Sequence, residues 1–107
     1  MLRTKADVEW KEGDNNDPPR LQLFSRDGTP VNLVGATVTQ TPGGQATVNN
    51  ASEGILTPVK TGLVVGDHHY QDYLIEYWVE FSDGSTQPFP ESGYYRARVW
   101  KKLEEGE

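Results

Sequence analysis

Tyr70-Gln71-Asp72-Tyr73-Leu74-Ile75-Glu76-Tyr77-Trp78-Val79-Glu80-Phe81 is the stretch that decides how this chain folds. Tyr73, Ile75, Tyr77, Val79 and Phe81 recur at every second position, with Glu76 and Glu80 between them. A strand sends alternate side chains to opposite faces, whereas a helix repeats its apolar positions every three to four residues. The period here is two. One face of a long strand therefore packs inward, and Leu74, Glu76, Trp78 and Glu80 lie on the other.

Outward from this strand the turns are easy to place. Asp83-Gly84 closes a hairpin into a return strand over 85–89, which Pro88 and Pro90 restrict to an edge or an irregular end because proline donates no ladder hydrogen bond. Residues 94–100 form the last strand, with Arg96 and Arg98 on one face and Tyr95, Ala97 and Val99 on the other. Upstream, Ala36-Thr37-Val38-Thr39-Gln40 reads as a strand ending at the turn Pro42-Gly43-Gly44. Arg20-Leu21-Gln22-Leu23-Phe24-Ser25 is another, ending at Asp27-Gly28, and Val31-Asn32-Leu33 is a short extended piece. Val8-Glu9-Trp10-Lys11 alternates apolar and charged residues before Asp14 to Pro19 breaks it. Ala46-Thr47-Val48 and residues 54–59 read as short strands, and residues 63–66 as a strand or a turn-like connector. No window carries a capped helical repeat.

Seven or eight short strands between turns predict an all-β, immunoglobulin-like antiparallel β-sandwich, one domain over 1–107 with charged, flexible ends at 1–7 and 101–107. The Cys–Trp–Cys signature of antibody domains is missing, since the chain has no cysteine. Side-chain packing alone must hold the sheets together. Leu21, Leu23, Val38, Ile75, Tyr77, Val79, Phe81 and Val99 are the expected core.

Composition narrows the function classes. The 11 glycines and 7 prolines, with only 35% apolar residues, suit a loop-rich β domain. No apolar run is long enough to span a bilayer, and the N-terminus lacks the apolar region of a signal peptide, so neither membrane insertion nor secretion is expected. The net charge of −6, with scattered basic residues, opposes nucleic-acid binding.

Motifs for chemistry are absent or weak. His68-His69 are the only histidines and, with Asp67 and Asp72 nearby, would need a third ligand from a rigid frame to hold a first-row metal; a solvated turn is the simpler reading. Asp14-Asn15-Asn16-Asp17 lacks the spacing of a calcium loop, and Pro18 occupies a ligand position. Asn50-Ala51-Ser52 matches a glycosylation sequon by pattern alone. Glu76 and Glu80 share an open strand face rather than a cleft. No catalytic, cofactor or metal residue is expected, and no enzymatic activity. The aromatic and arginine side chains Trp10, Trp78, Arg96, Arg98 and Trp100 are the candidate interface, because such residues dominate binding energetics.

Two stretches carry a resemblance. The first is Lys11-Glu12-Gly13-Asp14, then Pro18-Pro19-Arg20-Leu21-Gln22-Leu23, then Asp27-Gly28-Thr29-Pro30-Val31-Asn32-Leu33-Val34-Gly35-Ala36-Thr37-Val38. The second is Tyr73-Leu74-Ile75-Glu76-Tyr77-Trp78-Val79-Glu80-Phe81-Ser82-Asp83-Gly84, followed by Phe89-Pro90 and Gly93-Tyr94. In order and spacing, over about residues 8–100, they resemble the N-terminal domain of the phage baseplate upper protein family. The family often has Gly before the tyrosine of the long strand, where this chain has Gln71-Asp72. The resemblance implies an immunoglobulin-like module in a tailed-phage virion, assembled in the bacterial cytoplasm, with other virion proteins as partners and many copies in a symmetric array. A full baseplate upper protein continues into further domains. An attachment or decoration module of baseplate, tail, neck or head is therefore the expectation. The alternative is a carbohydrate-binding β-sandwich module, for which Trp78 and Trp100 would supply coplanar aromatic rings.

Overall fold

The computed structural model describes residues 6–103. Every regular element among them is a strand: β1 (Val8–Lys11), β2 (Leu21–Gln22), β3 (Thr37–Thr41), β4 (Gly44–Gln45), β5 (Thr47–Asn50), β6 (Ile55–Thr57), β7 (Tyr70–Glu80), β8 (Thr86–Phe89) and β9 (Tyr95–Trp100). The fold is all-β, as the alternation predicts. No helix among the described residues is long and apolar enough to cross a membrane.

The 11-residue β7 organises the larger sheet. Its second half pairs antiparallel with β3, Val38 opposite Val79, and with β8, Trp78 opposite Pro88. Its first half pairs antiparallel with β9, Tyr70 opposite Trp100 and Ile75 opposite Tyr95. β8 and β9 therefore follow one another along β7, with residues 90–94 intervening. β1 lies beyond β9 and runs parallel to it, Val8 opposite Ala97 and Lys11 opposite Trp100. The expectation of antiparallel pairing throughout fails here. These are the first and last strands, and no hairpin fixes their relative direction. On the other side β3 pairs with β4, and the chain runs on through Ala46 into β5 of the smaller sheet, ordered β2-β6-β5.

The short extended piece 31–33 forms no strand, and of the two readings of 63–66, strand or turn-like connector, the connector holds. Val31 and Leu33 are buried, but their amides donate to Leu23 O and Ala51 O outside any ladder. Residues 63–66 are a connector, in which the Tyr73 hydroxyl accepts from Val64 N–H and donates to Val64 O.

One buried cluster draws on both sheets. Ile75, Tyr77 and Val79 of β7 meet Val38, Phe89, Ala97 and Val99 from its neighbours, and Leu23 and Leu56 from the smaller sheet's side. Leu21 and Phe81, expected inside, are only partly buried against it. Trp10 belongs to this cluster at 8% exposure, on the side of Val8. The alternation that marks β1 as a strand also turns Trp10 inward, so this member of the candidate interface is a core residue.

The cluster encloses one amide. Gln40 is 1% exposed, and both ends of its side chain are saturated. Its Nε2 donates to Pro42 O and Val59 O, each at 2.8 Å. Its Oε1 accepts from Val59 N–H and from the Tyr77 hydroxyl, also at 2.8 Å each. This ties β3 to β7 and to the segment after β6, and meets the requirement that buried polar groups be paired.

The Asp-Gly turns fall where the sequence places them. Gly28 and Gly84 both have φ of +88°, a conformation that favours glycine. Each preceding aspartate accepts from the residue two places on: Asp27 from Thr29 N–H and Asp83 from Ser85 N–H. The charged ends fall partly outside the described residues, at 1–5 and 104–107. Their described parts are tied to the domain. Asp7 N–H donates to Arg96 O, Asp7 Oδ2 accepts from Arg96 N–H, and Lys101 N–H donates to His69 O.

Candidate functional site

The face of the larger sheet opposite the core carries most of the candidate contact residues. Parity puts Glu9 and Lys11 of β1, Arg96, Arg98 and Trp100 of β9, and Tyr70, Asp72, Leu74, Glu76, Trp78 and Glu80 of β7 on this side. Register then forms rows across the strands. Lys11, Trp100 and Tyr70 make one row; Glu9, Arg98 and Asp72 make the next.

The Arg98 row is the most tightly built. The guanidinium donates from Nε to Asp72 Oδ1 at 2.7 Å and from a terminal nitrogen to Asp72 Oδ2 at 2.9 Å, a two-point pairing that fixes its plane. Arg96 adds a longer bond to Asp72 Oδ2 at 3.3 Å. The Tyr70 ring lies 4.4 Å from the Arg98 guanidinium carbon and the Trp100 ring 6.0 Å from it, both within cation–π range. Tyr70 and Trp100 meet at 5.1 Å with their planes tilted by 51°. Trp100 Nε1–H donates to Glu9 Oε1 at 2.9 Å. As a result Arg98 is only 2% exposed although it points away from the core. The hydrogen bonds from Arg98 hold the Asp72 carboxyl below the ordinary carboxylate range, against the opposing pull of burial, and the same bonds push Arg98 up.

The candidate interface residues therefore play different parts. Trp10 is in the core. Arg98 is covered, and it supports Tyr70 and Trp100 from beneath rather than offering a free guanidinium. Arg96 is partly exposed beside it. Trp100 is partly exposed at the end of β9. Trp78 is 44% exposed, with its indole N–H donated to Glu76 Oε1 at 2.9 Å. Trp78 lies eight residues along β7 from the Tyr70–Trp100 row, about 26 Å at ~3.3 Å per residue. The two tryptophans do not make one platform. Trp100 has Tyr70 beside it instead, and Tyr70 and Asp72 are the members of this site that sequence reasoning missed.

The residues of the weaker motifs, 14–17, Asn50, His68 and His69, all lie at the surface. Among the described residues no group of three or more His, Asp or Glu side chains is placed to hold a metal. In the 14–17 loop the Lys60 ammonium donates to Asp14 O at 2.6 Å and Asn16 O at 2.8 Å. Asn50 Oδ1 accepts from Ser52 Oγ and Glu53 N–H within its own turn. His68 and His69 are exposed just before β7.

No protein family, curated protein or solved structure matches this chain.

Proposed function

We propose that the chain is a structural protein of a tailed-phage virion: an attachment or decoration module whose two sheets form an immunoglobulin-like sandwich and which acts by contact with other virion proteins. The reading rests on the sequence resemblance over residues 8–100, the same span that the nine described strands occupy. What supports it physically is the distribution of order. The polar groups of the core are spent on internal hydrogen bonds, and the residues left for contact lie on an exposed sheet face around Trp78 and at the Tyr70–Trp100 row. An exposed face carried on a hydrogen-bonded sheet suits repeated copies in a symmetric array, where each weak contact is reinforced by its repeats.

The test is a protein inventory of density-purified particles by mass spectrometry. The expected result is the intact chain, present in many copies per particle. Its absence from particles made in cells that express it overturns the proposal. Trp78→Ala then separates contact from fold: the variant folds normally and is incorporated less.

A further inference from the structure

At the end of the larger sheet where β1 and β9 finish and β7 begins, two grooves adjoin. One, open to solvent, has about 500 Å³ and is lined by Lys11, His69, Trp100, Lys101 and Leu103. The other, equally open, has about 410 Å³ and runs from His68 to Asp72 past Tyr70. They share His69, and the Tyr70–Trp100 pair forms the ridge between them. Both volumes fall in the roughly 300–1,000 Å³ range of small-molecule clefts.

We propose that the two grooves bind an oligosaccharide of alternating acidic and neutral sugars. The acidic ring lies against Trp100 near Lys11 and Lys101, and its neutral neighbour lies against Tyr70. This site does not depend on the virion reading. Three observations carry it.

The rings are held in advance. Trp100 is fixed by its indole hydrogen bond to Glu9, and both rings rest on an arginine that Asp72 locks in plane. Rigid aromatic walls lower the ordering cost of binding, and the apolar face of a sugar ring is a flat partner for them. Charge is the second observation. The chain as a whole carries −6, yet among the described residues the charged side chains lining the first groove are Lys11 and Lys101, with the nearby Glu9 carboxylate engaged by the Trp100 indole. The carboxylate in the second groove, Asp72, is already neutralised by Arg98 and Arg96. One groove therefore asks for an anion and its neighbour for an uncharged, hydroxyl-bearing group. The third is the pairing itself: two adjoining grooves, each with one aromatic wall, match two linked rings with one charge between them. A nucleic acid strand brings a phosphate for every base and meets the net negative charge each time. A peptide of acidic residues alone satisfies the lysines but offers no flat apolar face to either ring.

The experiment is an NMR and calorimetric titration of the full chain at low salt with a tetrasaccharide of alternating glucuronate and N-acetylglucosamine. The neutral N-acetylglucosamine tetramer, tetraglutamate and uridine monophosphate serve as comparisons. The expected result is saturable binding that shifts the Trp100 indole N–H signal and leaves those of Trp10 and Trp78 in place. Affinity falls at least about tenfold for the neutral tetramer and in Lys11→Ala/Lys101→Ala, as loss of a complementary charge predicts. Those two lysines are outside the core, so the double variant keeps its fold, confirmed by an unchanged melting temperature. Absence of saturable binding, equal binding of the neutral tetramer, or equal or tighter binding of tetraglutamate or the nucleotide each overturns the proposal.

Discussion

Gln40→Leu is the sharpest probe of this core, because it removes a hub and leaves the groups around it in place. Leucine is close to glutamine in size, so packing volume is nearly kept while four hydrogen bonds disappear. Val59 N–H, Pro42 O, Val59 O and the Tyr77 hydroxyl are then orphaned. An unsatisfied buried polar group costs about 1–3 kcal/mol. Pro42 is exposed and Val59 only partly buried, so the four groups do not all incur the full penalty, and a total of roughly 3–5 kcal/mol is expected. Tyr77→Phe removes only one of the four bonds, and Gln40 Oε1 still accepts from Val59 N–H. Its cost is about 1 kcal/mol. For a domain of this size, each kcal/mol lowers the melting temperature by roughly 4–8 °C. Urea unfolding followed by tryptophan fluorescence, with thermal melts by circular dichroism, gives both numbers. In the double variant Gln40→Leu/Tyr77→Phe the hydroxyl is no longer orphaned, so it is no less stable than Gln40→Leu alone. A Tyr77→Phe cost equal to that of Gln40→Leu, or simple additivity in the double variant, refutes the hub.

Trp10→Ala costs about 3–5 kcal/mol as a buried aromatic truncation, whereas Trp78→Ala costs under about 1 kcal/mol, and chemical denaturation separates them. Gly54→Ala is destabilising by about 1–3 kcal/mol, because φ is +68° and an added Cβ would lie 2.7 Å from Val31 O, and a melting curve measures it. The Asp72 pairing stabilises the fold fully above the ordinary carboxylate pKa of about 3.9 and loses this contribution as pH falls through the lower native value. Acid titration of stability is therefore shallower below pH ~4 in Asp72→Asn. The Asp27 carboxyl, held down to about 2 by hydrogen bonds from Ser25 and Thr29, still carries its charge at pH 3, which carbon-detected NMR reads directly.

Alternation made β7, β9 and β1 readable, and the Asp-Gly pairs gave their turns, because both signals are local. Pairing partners far apart in sequence were not readable. If the register of the β7–β8 hairpin, with Tyr77 opposite Phe89, simply continued, Asp72 would face Tyr94. Residues 90–94 shift it by four, and Asp72 meets Arg98 instead. Nothing in Pro90-Glu91-Ser92-Gly93-Tyr94 states the size of that shift, so the cluster that buries Arg98 and joins Tyr70 to Trp100 lay beyond the sequence. Trp10 was different. Its inward parity was legible in Val8-Glu9-Trp10-Lys11, and its residue type argued for a contact role against that parity. Packing decided for the parity. The 63–66 segment shows the converse: its apolar residues serve a connector held by the Tyr73 hydroxyl, the Glu12 carboxylate and the burial of Leu63, a pattern with no period to detect.

The parallel pairing of the first and last strands also fixes how the domain bears load. A pull on the chain before Val8 and after Trp100 draws β1 and β9 in opposite directions along their length. The bonds between them are then strained together rather than opened one after another, as in a hairpin peeled from its end. Forced unfolding is governed by the unfolding barrier rather than by equilibrium stability. A module strung between two neighbours through residues flanking these strands would resist extension until the whole clamp between Val8 and Lys11 gives way at once.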